Sequence, residues 1–438
     1  MGIFFSVSKI LYALMIFCFV IFIPMTKQNN RYLICNINQK KITNLFLVIS
    51  SLVLVITSTN EKKLLIIQIS LIMLILLIIT NFFKDNYLKN IDVVIANSIN
   101  FLLCIGIVML MRLNIDLAQK QVNWICLSYL IGLSSILILK TKLPFGKSNI
   151  LYLILCYLFL MSPFIFGVKT LGSLNWVRIY GFSFQPSEIV KLIFVFYLAS
   201  EFKGDFNFKK LVNVSIIVLS FLLILVFQKD LGAALIYFIT YLILVYAYSS
   251  KEIIMISGLL LGYLGAYLSS KFFFHVQERI DAWMNPWAFI DTQGYQITQS
   301  LFAIIAGRWL GTGLNNGMPY KIPIVEKDFI FSAICEEFGN IFSIMLIAIY
   351  CIIVIRGINV ALRISDKFYC FLALGITSLF GFQTFLIIGG VIRLIPMTGV
   401  TLPFISYGGS SIIINMLMMM IVQYCALRKG DNIVENEK

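Results

Sequence analysis

The sequence predicts an all-α, polytopic integral membrane bundle of about thirteen spanning helices, and three observations carry that expectation. Of 438 residues, 60% are hydrophobic and only 12% are charged, against the roughly 25% charge of an ordinary soluble domain, which is too little to cover a water-facing surface. Apolar segments of about 20 residues recur along nearly the whole chain, each long enough to cross a hydrocarbon core of about 30 Å as a helix. These runs do not alternate as barrel strands would, and a helix satisfies its own backbone hydrogen bonds in lipid.

Taken in order, the apolar runs place spans near 3–25, 43–59, 64–83, 93–112, 124–139, 149–168, 187–201, 211–227, 231–249, 253–270, 329–355, 367–390 and 403–427. No room remains for a soluble domain. Two connections stand out, 169–186 and 271–328, because both are rich in Gly, Pro, Trp and polar residues and neither is apolar enough to span. Structured loops in a chain otherwise reduced to its spans are where function concentrates. No low-complexity tract or internal repeat of the kind found in inverted-repeat transporters is visible.

Lys and Arg number 34 against 20 Asp and Glu, a formal charge of +14. The excess reads as topogenic: one alternating set of connections carries most of it, with Lys27, Arg31, Lys40 and Lys41, then Lys84 and Lys89, then Lys140, Lys142 and Lys147, then Lys203, Lys209 and Lys210, then Lys251, then Arg356, Arg363 and Lys367, then Arg428, Lys429 and Lys438. The opposite connections carry fewer, chiefly Lys62, Lys63, Lys120, Lys169, Arg178, Lys229 and Arg393. By the positive-inside rule the C-terminus is cytoplasmic and, with an odd number of spans, the N-terminus and the 271–328 loop are outside. A nucleic-acid surface would need a contiguous basic face, and none is present. The nine cysteines are scattered, with no close pair of metal or redox spacing, so they read as small packing residues. A myristoylation-like start at Met1–Ser6 runs directly into a span and is given no weight.

Five stretches carry chemistry. In 172–192, a polar loop turns at Pro186 into a helix with Ser187 at the cap position and Glu188 and Lys191 three residues apart on one face. This reads either as a cap with a self-neutralising pair or as a polar entry for a head group. Gln228, Lys229 and Asp230 form a short corner, which a plain turn explains. In 278–300, charge mixes with Trp283, Trp287 and Tyr295, residues suited to the lipid interface and to stacking on sugars. Gly307, Gly311, Gly313 and Gly317 follow, free to turn tightly or to approach a ligand. In 327–339, Lys327 and Asp328 precede Glu336 and Glu337 at a span entrance, where carboxylates are expensive unless paired or functional. On one continuous helix, Glu336 would lie about 80° from Asp328 and Glu337 on the far side, so only Asp328 and Glu336 would serve one cavity. In 393–411, Arg393 leads a Pro and Gly rich re-entry, and non-helical backbone at that depth reads as cavity wall.

These stretches, NWVRIYGFSFQPSEIVKL, QKDLGAALI, GYQITQSLFAIIAGRWLGTGL, KDFIFSAICEEFG and RLIPMTGVTLPFISYGGSS, resemble in order and spacing the shape, elongation, division and sporulation family, whose members are called RodA, FtsW and SpoVE. The resemblance runs from about residue 93 to the end. It implies a ten-helix core (91–438) preceded by about three extra helices (1–90). It also implies a peptidoglycan glycosyltransferase that polymerises lipid II at the outer face of the bacterial cytoplasmic membrane, paired with a class B penicillin-binding protein, the transpeptidase. The family's essential acid falls on Asp328. Two departures are visible: Glu326 and Lys327 stand where the family has His-Thr, and Ala233 stands where it has Thr.

On this reading Asp328 is the general base for the 4-hydroxyl of an acceptor GlcNAc. The leaving group is undecaprenyl diphosphate, and a single base predicts inversion. Arg393, Lys191 and Lys327 are the candidates to meet its charge. Trp176, Arg178, Gln185, Ser187, Glu188, Gln299, Glu336, Ser406 and Gly408 complete the expected substrate-binding set. No resident cofactor or metal site is demanded; a divalent cation, Mg or Mn, could share the diphosphate's charge. The rivals are a lipid II flippase, which would need charges spread through the depth of the bundle, and a non-catalytic scaffold for the penicillin-binding protein. No motif lies in residues 1–90, so they are expected to be dispensable for catalysis while mattering for stability or partner choice.

Overall fold

The structure is a computed structural model and describes residues 2–23, 29–88, 91–139, 145–170, 173–179 and 182–435. Its helices in chain order are α1 (Gly2–Ile21), α2 (Asn29–Thr57), α3 (Asn60–Tyr87), α4 (Val93–Leu113), α5 (Ile115–Leu139), α6 (Asn149–Phe166), α7 (Pro186–Phe202), α8 (Phe208–Phe227) and α9 (Leu231–Ser249). They continue with α10 (Glu252–Phe272), α11 (Phe274–Met284), α12 (Tyr295–Gly307), α13 (Ile330–Phe338), α14 (Asn340–Ala361), α15 (Lys367–Val391) and α16 (Gly409–Glu435). Among the described residues, 11 helices are long and apolar enough to cross a membrane. With the shorter α1 and α7 they occupy the thirteen expected positions, and the architecture is all-α and polytopic. Between α6 and α7 the chain forms a small antiparallel sheet, β1 (Gly167–Thr170), β2 (Ser173–Ile179) and β3 (Phe182–Phe184), in the order β1-β2-β3.

Local chemistry explains the boundaries. Asp92 caps α4 by accepting from the Val94 and Ile95 amides at 3.0 and 3.2 Å, and Asn207 caps α8 in the same way, each satisfying orphan donors of a first turn. Pro186 opens α7 at the position where its missing N–H costs nothing.

Three expectations are corrected. The polar stretch before residue 43 belongs to α2, which begins at Asn29. The expected span 329–355 is two helices, because Gly339 has φ +92° and breaks α13 from α14. A side chain at Gly339 would meet the Gly311 amide nitrogen at 2.3 Å, and one at Gly311 (φ +80°) would meet the Glu337 carbonyl oxygen at 2.2 Å; two glycines therefore let the chain segments touch. The last span starts at Gly409 rather than 403, after an irregular stretch.

The chain divides into two compact units: Met1–Leu127 with Glu278–Arg356 and Ile387–Gly408, and Ser128–Gln277 with Gly357–Leu386 and Gly409–Lys438. In the first unit α4 is the most enclosed span, with 89% of its apolar window buried. Its Gly106 lies against the backbone of Phe404 and Ile405, whose carbonyl oxygens a Cβ would meet at 2.8 Å. In the second unit α7 packs on α6, α9 and α16.

Candidate active site

In the first unit, a single 3-10 turn (Pro319–Lys321) leads through non-helical turns over 322–329 to α13. Ile324, a β-branched residue, has φ +56°, a conformation that costs of order 1–3 kcal/mol and persists only where surroundings impose it. Its carbonyl receives the Lys327 and Asp328 amides at 3.1 and 3.4 Å. Asp328 thus sits two residues before α13, outside any helix, and the helical-face argument linking it to Glu336 does not apply.

The irregular stretch 395–408 straps this turn. The Tyr407 amide donates to the Glu326 carbonyl at 2.9 Å, and the Ser406 hydroxyl donates to the Lys327 carbonyl, so both peptides before Asp328 are held. Gln121 completes the strap: its Nε2 donates to the Ser406 carbonyl at 3.1 Å and its Oε1 accepts from the Gly408 amide at 3.3 Å. Gly399, with φ +73°, faces the acid, its missing Cβ 3.8 Å from Asp328 Oδ2. From α11, the Arg279 guanidinium donates to the Met397 and Thr398 carbonyls at 3.3 and 3.1 Å. Burial pushes the Asp328 carboxyl up to about 6, while the charges of Lys327 and Arg279 pull it back and Glu326 opposes them. Desolvation is thus the leading influence. Neither Arg279 nor Gln121 was singled out in the sequence, because each reaches the site from a distant segment.

Glu337, expected on the side away from Asp328, is paired within its unit, and Glu336 holds a loop. Glu337 is fully buried and pairs with Arg112 of α4 at 2.9 Å; its other oxygen accepts from the Asn315 amide at 3.2 Å. Glu336 accepts from the Met318 amide at 2.7 Å, and Arg112 also donates to the Gly317 carbonyl at 3.1 Å. Both carboxylates therefore hold the 315–318 loop against α13. Arg393 is engaged by backbone carbonyls. Its Nε and Nη2 donate to the Trp283 and Met284 carbonyls at 2.9 and 2.8 Å, and the Trp283 indole donates to the Arg393 carbonyl at 3.1 Å. The guanidinium closes the end of α11 onto the end of α15. Gln299, half-buried on α12, makes no side-chain hydrogen bond among the described residues.

The second unit holds a separate polar cluster. Lys191 is 2% exposed, bonded to Glu188 at 2.7 Å and to the Gln383 side chain at 2.8 Å. The Asp230 carboxylate accepts from Gln185 and Ser187 at 2.7 and 2.8 Å, and Tyr237 donates to the Ser187 carbonyl at 2.7 Å. The corner that reads in sequence as a plain turn is therefore the anchor for the start of α7. Ala233 contributes its backbone N–H to the Asp230 carboxylate at 3.3 Å, a role that does not depend on the side chain there. On β2, Val177 is buried, and Trp176 and Arg178 point to the opposite face by strand alternation; the Arg178 side chain is exposed.

Among the described residues no three His, Cys, Asp or Glu side chains cluster as a metal centre would need. The family model of the FtsW/RodA/SpoVE cell cycle proteins matches residues 92–429. The peptidoglycan glycosyltransferase RodA of Mycobacterium tuberculosis is 32% identical over 351 residues, 73% of this chain and 74% of that protein. Stage V sporulation protein E of Bacillus subtilis is 34% identical over 284 residues, covering 62% and 76%. Among solved structures, the rod shape-determining protein RodA of Thermus thermophilus superposes with a TM-score of 0.60 at 22% identity, covering 78% of this chain and 99% of that one. A peptidoglycan synthase complex described as coordinating polymerization and crosslinking gives 0.68 at 21%, with the same coverage. These two structures share the fold. By the match over most of its length, the chain belongs to the FtsW/RodA/SpoVE family of cell cycle proteins.

Proposed function

We propose that this chain is a peptidoglycan glycosyltransferase of cell-wall synthesis that polymerises lipid II at the outer face of the cytoplasmic membrane, with Asp328 as its general base. The observation that carries the assignment is the strapped turn. The chain spends a strained Ile324 and hydrogen bonds from Ser406 and Tyr407 to hold one half-buried carboxylate ahead of a short helix.

A carboxylate titrating at about 6 is mostly ionised at neutral pH yet more basic than an ordinary Asp, which suits proton abstraction. In the step, an Asp328 oxygen takes the proton of the acceptor's 4-hydroxyl as that oxygen bonds to the anomeric carbon of the donor MurNAc. The bond from that carbon to undecaprenyl diphosphate breaks, its electron pair leaves with the diphosphate, and the configuration inverts. Lys327 and Arg279, the two cations whose charge acts on Asp328, would stabilise the leaving charge. Lys191, engaged by Glu188 and Gln383, serves the polar core of its own unit. Asp328 and Glu326 are the carboxylates that would hold a divalent cation, which would supply positive charge to offset the diphosphate. The partner is a class B penicillin-binding protein that crosslinks the nascent strand, in keeping with the solved complex of the same fold.

The test is polymerisation of labelled lipid II by the purified chain, with and without such a partner. The rate should rise with pH through a midpoint of about 6, and this limb should vanish when Asp328 is replaced. A rate flat between pH 5 and pH 7.5 would remove the acid from the mechanism. The same shift has a stability sign: because the folded state holds the Asp328 proton more tightly than the unfolded chain, stability from this group falls as pH rises from about 4 to about 6. The proposed orientation places the N-terminus and the 319–329 turn outside. A cysteine at Tyr320, which is 67% exposed, should react in intact cells with an impermeant thiol reagent, and protection there would reverse the topology.

A further inference from the structure

The family model begins at residue 92, so α1, α2 and α3 lie outside it, yet they are not a detached anchor. At one end of α4 the Asn97 amide donates to Asn36 and Gln39 of α2 at 3.0 and 2.9 Å, and its carbonyl oxygen accepts from the buried Lys84 of α3. Along α4, Phe101 stacks on Phe19 of α1 at 4.4 Å and meets Phe46 of α2 edge-on at 5.3 Å. Further on, Ser70 of α3 reaches Met111.

The same helices also touch the segment that follows Asp328. Tyr12 of α1 packs edge-on against Phe338 at 4.9 Å, Phe46 lies 5.9 Å from Phe338 and 6.1 Å from Phe342, and the Asn315 side chain donates to the Thr57 carbonyl at 3.4 Å. Tyr12 and Phe46 are fully buried and Phe338 is 1% exposed.

We infer that α1–α3 are a positioning element for the acid segment, with Tyr12 and Phe46 as the residues that brace it. The inference rests on the glycosyltransferase reading. The physical need is plain: α13 has 9 residues, about two and a half turns, too short to be stable without tertiary packing, and it ends on the broken backbone of Gly339. Its register, and with it the turn bearing Asp328, is held at Phe338 by the N-terminal rings and at Glu337 by Arg112. Behind them, α4 is clamped between the N-terminal helices and the 404–406 strap. This revises the expectation that residues 1–90 are dispensable for catalysis.

The test uses the full-length chain carrying Tyr12→Ala with Phe46→Ala. Removing the two rings should lower kcat for lipid II polymerisation about tenfold to a hundredfold, the scale of a misplaced catalytic group. KM should stay within about twofold, because no substrate contact is lost. Amide exchange over 330–338 should quicken at least about tenfold as local opening becomes easier. Tyr12→Phe, which keeps the ring, should restore both. Met73→Ala, a buried truncation within α3, should lower thermal stability and leave kcat per folded molecule near wild type. Unchanged α13 exchange in the double variant, or an equal loss of kcat in Met73→Ala, overturns the inference. Should the double variant fail to insert, Tyr12→Leu alone is read the same way. If the wild-type chain does not polymerise lipid II, the functional reading falls, and the exchange measurement by itself decides the bracing role.

Discussion

Asp328→Asn should lower lipid II polymerisation by the purified protein about 10²- to 10⁴-fold, the usual worth of a positioned general base. Expression, membrane insertion and lipid II binding should be retained. Asn keeps the volume and removes only the charge. The backbone bonds that hold the turn, from Tyr407 to the Glu326 carbonyl and from Ser406 to the Lys327 carbonyl, do not involve the carboxylate, so the fold has no reason to fail. Glu326→Gln is the informative companion. Its carboxylate acts on Asp328 through space, so neutralising it should shift the pH midpoint of activity downward without a comparable loss of maximal rate. Near-normal polymerisation by Asp328→Asn would end the base assignment. Attention would then pass to Glu326, the acid nearest Asp328 in sequence, and to Glu336, whose Oε1 accepts from the Met318 amide while its Oε2 has no hydrogen-bond partner among the described residues.

The second large effect concerns Arg112. Truncating Arg112 to Met leaves the Glu337 carboxylate, fully enclosed, without its cation. Removing one partner of a buried pair costs about 3–5 kcal/mol, because the remaining charge is uncompensated. A strongly lowered thermal midpoint in detergent and poor recovery of the monodisperse protein are expected. Adding Glu337→Gln should recover much of the loss, because two neutral groups of similar shape leave no bare charge. The pair is therefore read by the double variant. If Arg112→Met with Glu337→Gln is no more stable than Arg112→Met alone, the two side chains are not coupled as the structure has them. Full stability of Arg112→Met by itself would have the same consequence.

What the sequence by itself determined is the part of this protein that local sums decide. Whether a segment crosses lipid depends on the added hydropathy of about 20 neighbouring residues, so the polytopic all-α class and the order of the long apolar helices could be read directly. Asp328 could be singled out because an acid at a span entrance is costly wherever the rest of the chain goes. The tertiary structure decided everything that depends on a distant partner. Arg112 meets Glu337 across 225 positions of sequence, and nothing near either residue announces the other. Arg393 reads as a free cation until the fold presents the Trp283 and Met284 carbonyls to it. The break at Gly339 arises because Gly311 must touch the same backbone, which ends the helix on which the carboxylates were expected to share a face. The N-terminal helices carry no motif and so look idle in sequence. Only packing shows Tyr12 and Phe46 against Phe338, since a ring contact has no signature in either segment alone.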